Sequence, residues 1–202
     1  KSKKIIIPRS QKVRFWVTEF SWDSNGPDPN GVPMNDLVRW IPEAMYMSWK
    51  AGVTNFLWLS MRDWQTDSLT NGVTIESGLY YRGAVPEQDV AKPTLAAFRF
   101  PFVAYRRSSG IEVWGRTPSS QPGFVKIYYR EDASRAWLLT GIARASKTGV
   151  FSKLLKTSNG IGNVGETTAV YTDSSIAAFG NQWASPAFSL TPTIDYKVKP
   201  FG

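Results

Sequence analysis

The stretch RFWVTEFSWDS, residues 14–24, decides how this chain is read. Apolar and aromatic residues dominate from Val13 to Val17, then give way to Thr18 and Glu19, and an aromatic pair, Phe20 and Trp22, follows at once. A run with so little polar alternation predicts a strand over 13–19 that is buried on both faces, as in a parallel sheet. Such a strand has no packing reason to end on a carboxyl set among aromatics.

Outward from that strand, the turn formers of DSNGPDPNGVP, 23–33, predict a loop. The next stretch, MNDLVRWIPEAMYMSWKAG, predicts a helix, with Pro42 opening its main segment in the first turn or kinking it. Gly52 is placed to stop it. Trp40, Ile41, Met45, Met47 and Trp49 make most sides of the helix apolar, so heavy cover is expected. VTNFLWLS, 53–60, reads as a second buried strand, and PTLAAFRF, 93–100, as a short helix with Pro93 near its start. Strand, helix, strand, helix is the α/β rhythm.

From about residue 105 the rhythm changes to short strands separated by turn residues, at 111–116, 124–130, 136–143, 149–155, 167–172, 186–190 and 194–199. That spacing predicts an antiparallel, Ig-like β-sandwich. The boundary is expected near Pro101–Arg107, giving an α/β region over 1–104 and an all-β region over 105–202.

Composition narrows the chemistry. The 202 residues are 42% hydrophobic and 14% aromatic, which suits a globular chain of one or two domains with a substantial core. There is no cysteine, so thiol nucleophiles, disulfides and thiolate metal sites are excluded. There is no histidine either, which removes the commonest general base and metal ligand. Catalysis within the chain has to use carboxylates, Lys, Tyr, Ser or Arg. No apolar run reaches the roughly 18 residues of a membrane-spanning helix. KSKKIIIPRSQ has only three apolar residues before Pro8, fewer than the about 7–15 of a signal peptide. With no initiator Met, the chain reads as a mature or truncated piece. The net charge of +8 is scattered, clustering only at Lys1-Ser2-Lys3-Lys4 and Arg106-Arg107, which reads as a solvated surface and not a nucleic-acid or membrane site.

With both strands placed, WVTEFSWDS followed by GVTNFLWLSMRDW resembles strands seven and eight of the clan A glycoside hydrolases, (β/α)8 barrels that cut β-linked sugars with retention. The resemblance implies that Glu19 is the nucleophile at the end of strand seven and that Trp58 floors a sugar subsite on strand eight. The tail GRTP, GVF, AFSL and KPFG is similar to the β-sandwich that follows such barrels in bacterial glycosidase-like proteins. A complete barrel needs about 250 residues, and the clan's acid/base Glu, carried in an Asn-Glu pair, has no counterpart because no Asn-Glu dipeptide occurs. The resemblance therefore implies the last two barrel units of a secreted or cell-surface enzyme, whose upstream barrel supplies the second carboxyl. Its substrate would be an oligo- or polysaccharide, with no metal or organic cofactor.

Read from the residues alone, Glu19 is either that nucleophile or a strand-terminal carboxylate paired with an arginine. Trp58 is a subsite or core packing, and Trp22 in the following loop is a sugar contact or filler. Arg62 and Asp63 either position substrate or bridge one another, the bridge being the simpler expectation. Tyr80 and Tyr81 line the pocket or pack a hairpin. Asp23, Asp28 and Asp36 do not have the spacing of a calcium loop and read as turn and cap residues. SNGIGNVGE, 158–166, lacks the ending of a phosphate loop and reads as a hairpin loop. The rival functions are a non-catalytic carbohydrate-binding or adhesive module and, behind it, a basic polyanion-binding domain.

Overall fold

The computed structural model describes residues 13–25, 29–64, 75–156, 161–162, 164–172 and 182–190. In chain order its elements are β1 (Phe15–Phe20), α1 (Met34–Lys50), β2 (Val53–Trp58), β3 (Tyr80–Tyr81), β4 (Val90–Ala91) and α2 (Pro93–Arg99). They are followed by β5 (Phe102–Arg107), β6 (Gly110–Arg116), β7 (Gly123–Arg130), β8 (Leu138–Ala145), β9 (Val150–Leu155), β10 (Glu166–Thr172), β11 (Gln182–Ala184) and β12 (Phe188–Ser189).

The bulk of the core is a β-sandwich-like pair of antiparallel sheets. One has the order β11-β10-β7-β8 with β12 also paired to β10, and the other is β5-β6-β9. Strand β7 shows why the chain forms it. Val125, Ile127 and Tyr129 alternate inward while Phe124 and Lys126 face out, the period of two that one buried face demands. Val103, Ile111, Val113, Phe151, Leu155, Ala169 and Tyr171 fill the space between the sheets. Strand β6 is covered on its second face as well. Tyr46 of α1 lies 5.4 Å, ring to ring, from both Tyr105 and Trp114, and Trp49 lies 5.6 Å from Trp114.

The expected barrel segment is not formed, and the fold is all-β in character with two helices among the described residues. Only β1 and β2 pair in parallel, across the α1 crossover; every other pairing among the described strands is antiparallel. In a barrel each parallel strand is bonded on both edges and covered on both faces. Here, among the described residues, β1 and β2 bond only each other, and Phe15 and Trp16 are each 59% exposed and Leu57 47%. The reading of both strands as buried is therefore corrected: an apolar run records a preference for cover, and these strands lack it.

Helix α1 is corrected in two respects. Of the two alternatives for Pro42, the opening one is not met, because the helix starts at Met34 and Pro42 lies inside it. Leu37, Ile41, Pro42 and Tyr46 are buried, whereas Trp40, Met47 and Trp49 stay exposed, so the helix is covered along one stripe and not all round. Gly52 does end it, at φ +85°, with its N–H donating to the Trp49 carbonyl at 3.0 Å. Helix α2 occupies the expected position.

In the sheet region β5 and β11 are additional strands, and β5 runs through the boundary expected after residue 104. The strand expected over 194–199 lies outside the described residues, as do residues 158–160 and 163 of the 158–166 loop.

The contrast in burial sets a stability test. Ile127→Ala, in the core, should cost about 2–5 kcal/mol, whereas Trp16→Ser should cost about 1 kcal/mol or less and reduce self-association by shrinking the exposed apolar face. Denaturant unfolding and sedimentation measure both effects. Equal losses of stability would mean that β1 is covered.

Candidate functional site

The C-terminal ends of β1 and β2 lie side by side, with Phe20 in register with Trp58. Their aromatics form a continuous group. Trp22 packs edge-on against Phe20 at 4.7 Å and against Trp40 at 5.6 Å, and its ring is 6.3 Å from Trp58. Phe20 also meets Phe56 at 5.0 Å, and Trp58 meets Phe98 of α2 at 6.1 Å. Trp22 and Trp58 are half-buried, Trp40 is at the rim, and Glu19 is exposed at this same end. Trp58 is thus both packing and rim: one edge is held by α2, and its Nε1–H donates to the Ser77 carbonyl at 2.8 Å.

Behind this rim lies a buried polar network. The Lys92 ammonium, at the entrance to α2, donates to Asp63 Oδ1 at 2.6 Å, to the Glu76 carbonyl at 2.8 Å and to Ser24 Oγ at 3.0 Å. Ser24 Oγ–H and the Ser24 backbone N–H also donate to the Glu76 carbonyl. Asp63 Oδ1 accepts the Gly78 N–H at 2.9 Å, and Asp23 Oδ1 accepts the Glu76 N–H at 3.0 Å. The Tyr81 ring covers the ammonium at 4.9 Å from its centroid. Gly78 is required by the close approach, because a Cβ there would lie 2.2 Å from the Asp63 backbone nitrogen.

The network fixes the state of Glu76. Burial pushes its carboxyl up from 4.5 to about 7, with Asp63 and Asp23 adding to the rise and Lys92 opposing it. One buried ammonium balances one buried carboxylate, and a second carboxylate beside Asp63 would be unmatched. Asp63 and Glu76 are each 4% exposed, so neither is open to a solvent-borne substrate.

The sequence-derived residues therefore divide. Trp22 and Trp58 come together at the strand ends, and Glu19 lies exposed on β1 directly before Phe20. Arg62, Asp63 and Tyr81 do not join them but build the polar layer behind. The expected Arg62–Asp63 bridge is corrected: Arg62 pairs with Asp89 at 2.6 Å and also donates to the Gly83 carbonyl, while Asp63 pairs with Lys92. Neighbouring side chains in an extended segment point opposite ways, which carries the two to different partners. Tyr80 and Tyr81 pair with Ala91 and Val90 in a small hairpin. Asp23 does serve a backbone N–H, though one distant in sequence. Sequence reasoning missed Lys92, Glu76 and Ser24. Nothing local marks them, since Lys92 looks like any charge before a proline-started helix.

No family model matches the chain, and no curated protein matches it. Among the described residues no helix is long and apolar enough to cross a membrane.

Two measurements check this network. Lys92→Met strands the Asp63 carboxylate and should cost about 3–5 kcal/mol in denaturant unfolding. With the Glu76 carboxyl at about 7 in the folded state against 4.5 ordinarily, the unfolded chain binds fewer protons across that interval. Stability should therefore fall as pH rises from about 4.5 through about 7. Thermal midpoints across that range should show the fall in the parent chain and a flatter profile in Glu76→Gln. An equal slope in both would place the titration elsewhere.

Proposed function

We propose that this chain is the nucleophile-bearing part of an extracellular glycoside hydrolase acting on β-linked saccharides with retention. Glu19 is the nucleophile, and Trp22 and Trp58 are the sugar platform. The reading is supported by the arrangement at the strand ends: an exposed Glu19 directly before Phe20, whose ring lies against the half-buried Trp22 and Trp58, the latter pinned through Ser77 and α2. Flat rings accept the C–H faces of a sugar, and an exposed carboxylate at the same strand end supplies a nucleophile for the anomeric carbon.

Retaining hydrolysis needs a second carboxyl, about 5–5.5 Å away, to protonate the leaving oxygen and then activate water. The nearby carboxyls of Asp63 and Glu76 are buried in the lysine network, so the acid/base comes from polypeptide outside the described residues. The reading rests on the site and not on a barrel. The same locking of Asp63 and Glu76 favours the second reading, a non-catalytic carbohydrate-binding role for the aromatic end.

The two readings separate on one substitution. In the enzyme completed by the second carboxyl, Glu19→Gln should lower turnover of activated aryl β-glycosides by orders of magnitude while keeping substrate affinity. The 202-residue chain alone should bind β-linked oligosaccharide without turning it over. Near-normal turnover in the Gln variant would leave only the binding role.

A further inference from the structure

At the opposite end of β2 from Glu19, the first residues of the strand face a cleft beneath the last turn of α1. It has a volume of about 500 Å³, and its walls include Trp49, Thr54, Phe56, Arg99, Trp114 and Arg116. Past Trp49, Thr148 and Val150 it continues into a second hollow of about 600 Å³, which adds Arg144 and Lys147. Among the described residues, no Asp or Glu lines either part. Among the described residues, none of these four cations has a carboxylate partner. The contacts they make are weak or neutral: Arg116 Nε donates to the Thr148 carbonyl at 3.4 Å, and the Arg99 guanidinium lies over the Trp183 ring at 4.3 Å. Like charges gathered along one groove repel one another, and an anion in the groove relieves that repulsion.

Trp49 stands where the two hollows meet and is 46% exposed. Its ring is backed by Trp114 at 5.6 Å and Tyr46 at 6.3 Å, which makes it a fixed platform. The other aromatic walls, Phe56, Phe98 and Trp114, are half-buried or buried. One platform serves one ring, whereas single-stranded nucleic acid stacks successive bases on several aromatics. Arginine forks match carboxylates, and the threonine hydroxyls of the walls suit a hydroxylated ligand.

We infer that this cleft binds an anionic oligosaccharide, with uronate carboxylates on Arg116, Arg99 and Lys147 and one sugar ring on Trp49. The site is separate from Glu19 and does not depend on its role.

Titration of the 202-residue chain with an oligogalacturonate, by calorimetry and by the indole N–H signals in NMR, tests the assignment. A neutral β-glucan oligomer and an oligothymidylate of similar length serve as comparators. Saturable uronate binding is expected, weakening as salt rises. Arg116→Gln and Lys147→Gln should each weaken it about fivefold and Trp49→Ala about tenfold or more, with Glu19→Gln unchanged. Should Trp49→Ala fail to fold, the two charge variants, whose parent side chains are exposed, decide the matter. The proposal is overturned if no saturable binding occurs or if folded charge variants bind as the parent does. It is equally overturned if the neutral glucan binds as well as the uronate, or if the oligothymidylate binds more tightly.

Discussion

A lysine ammonium withdrawn from water has to be surrounded by acceptors, and that requirement at Lys92 organises the end of the molecule that carries the candidate site. Three separate segments converge on it. The loop after β1 brings Ser24, the segment after β2 brings Asp63, and the approach to β3 brings the Glu76 carbonyl. None of these segments is a regular element at its point of contact. Isolated bridges pair their backbones, Ser24 with Val32 and Arg62 with Tyr80, and the Asp63 N–H donates to the Tyr80 carbonyl. The arrangement then passes its order forward, because Ser77, next to Glu76, accepts the Trp58 indole N–H. A surface aromatic acquires a fixed orientation from a charge pair it never touches.

The rest of the molecule is held by a different physics. The sandwich-like core is a matter of alternation and volume, and α1 is fastened to it by the Tyr46 ring against Tyr105 and Trp114. Arg39 over Phe188 and Arg99 over Trp183 add cationic contacts between the helices and the sheets. The β1–β2 pair gains least from this packing. Two strands alone bury too little to be self-sufficient, and Phe15, Trp16 and Leu57 remain open to solvent. The pair leaves apolar side chains in solvent and is the part that presents Glu19.

Strand β2 separates two environments of opposite character. Its C-terminal end meets the Phe20 and Trp22 rings, and its N-terminal end meets a groove lined by cations and, among the described residues, by no Asp or Glu. A net charge of +8 reads as diffuse along the sequence because Arg99, Arg116 and the Arg144–Lys147 pair are far apart in the chain. Only the packing of α1 and α2 against β6 and the β8–β9 turn gathers them. Charge density at a site is a property of the surface, not of composition.

The sequence by itself determined what depends on near neighbours. The alternation of Val125, Ile127 and Tyr129 specifies an inward face, Pro93 and Gly52 mark a helix start and a helix end, and the absence of His and Cys limits the available chemistry. That Glu19, Trp22 and Trp58 fall at or just beyond strand ends was legible for the same reason, since each strand is defined by its own pattern. The tertiary structure decided everything that requires a distant partner. Whether VRFWV is covered, whether Arg62 turns to Asp63 or to Asp89, and whether Glu76 holds its proton all turn on groups tens of residues away. Side-chain pattern encodes a preference for burial or pairing. The supply of cover and counter-charge is fixed only when the segments pack.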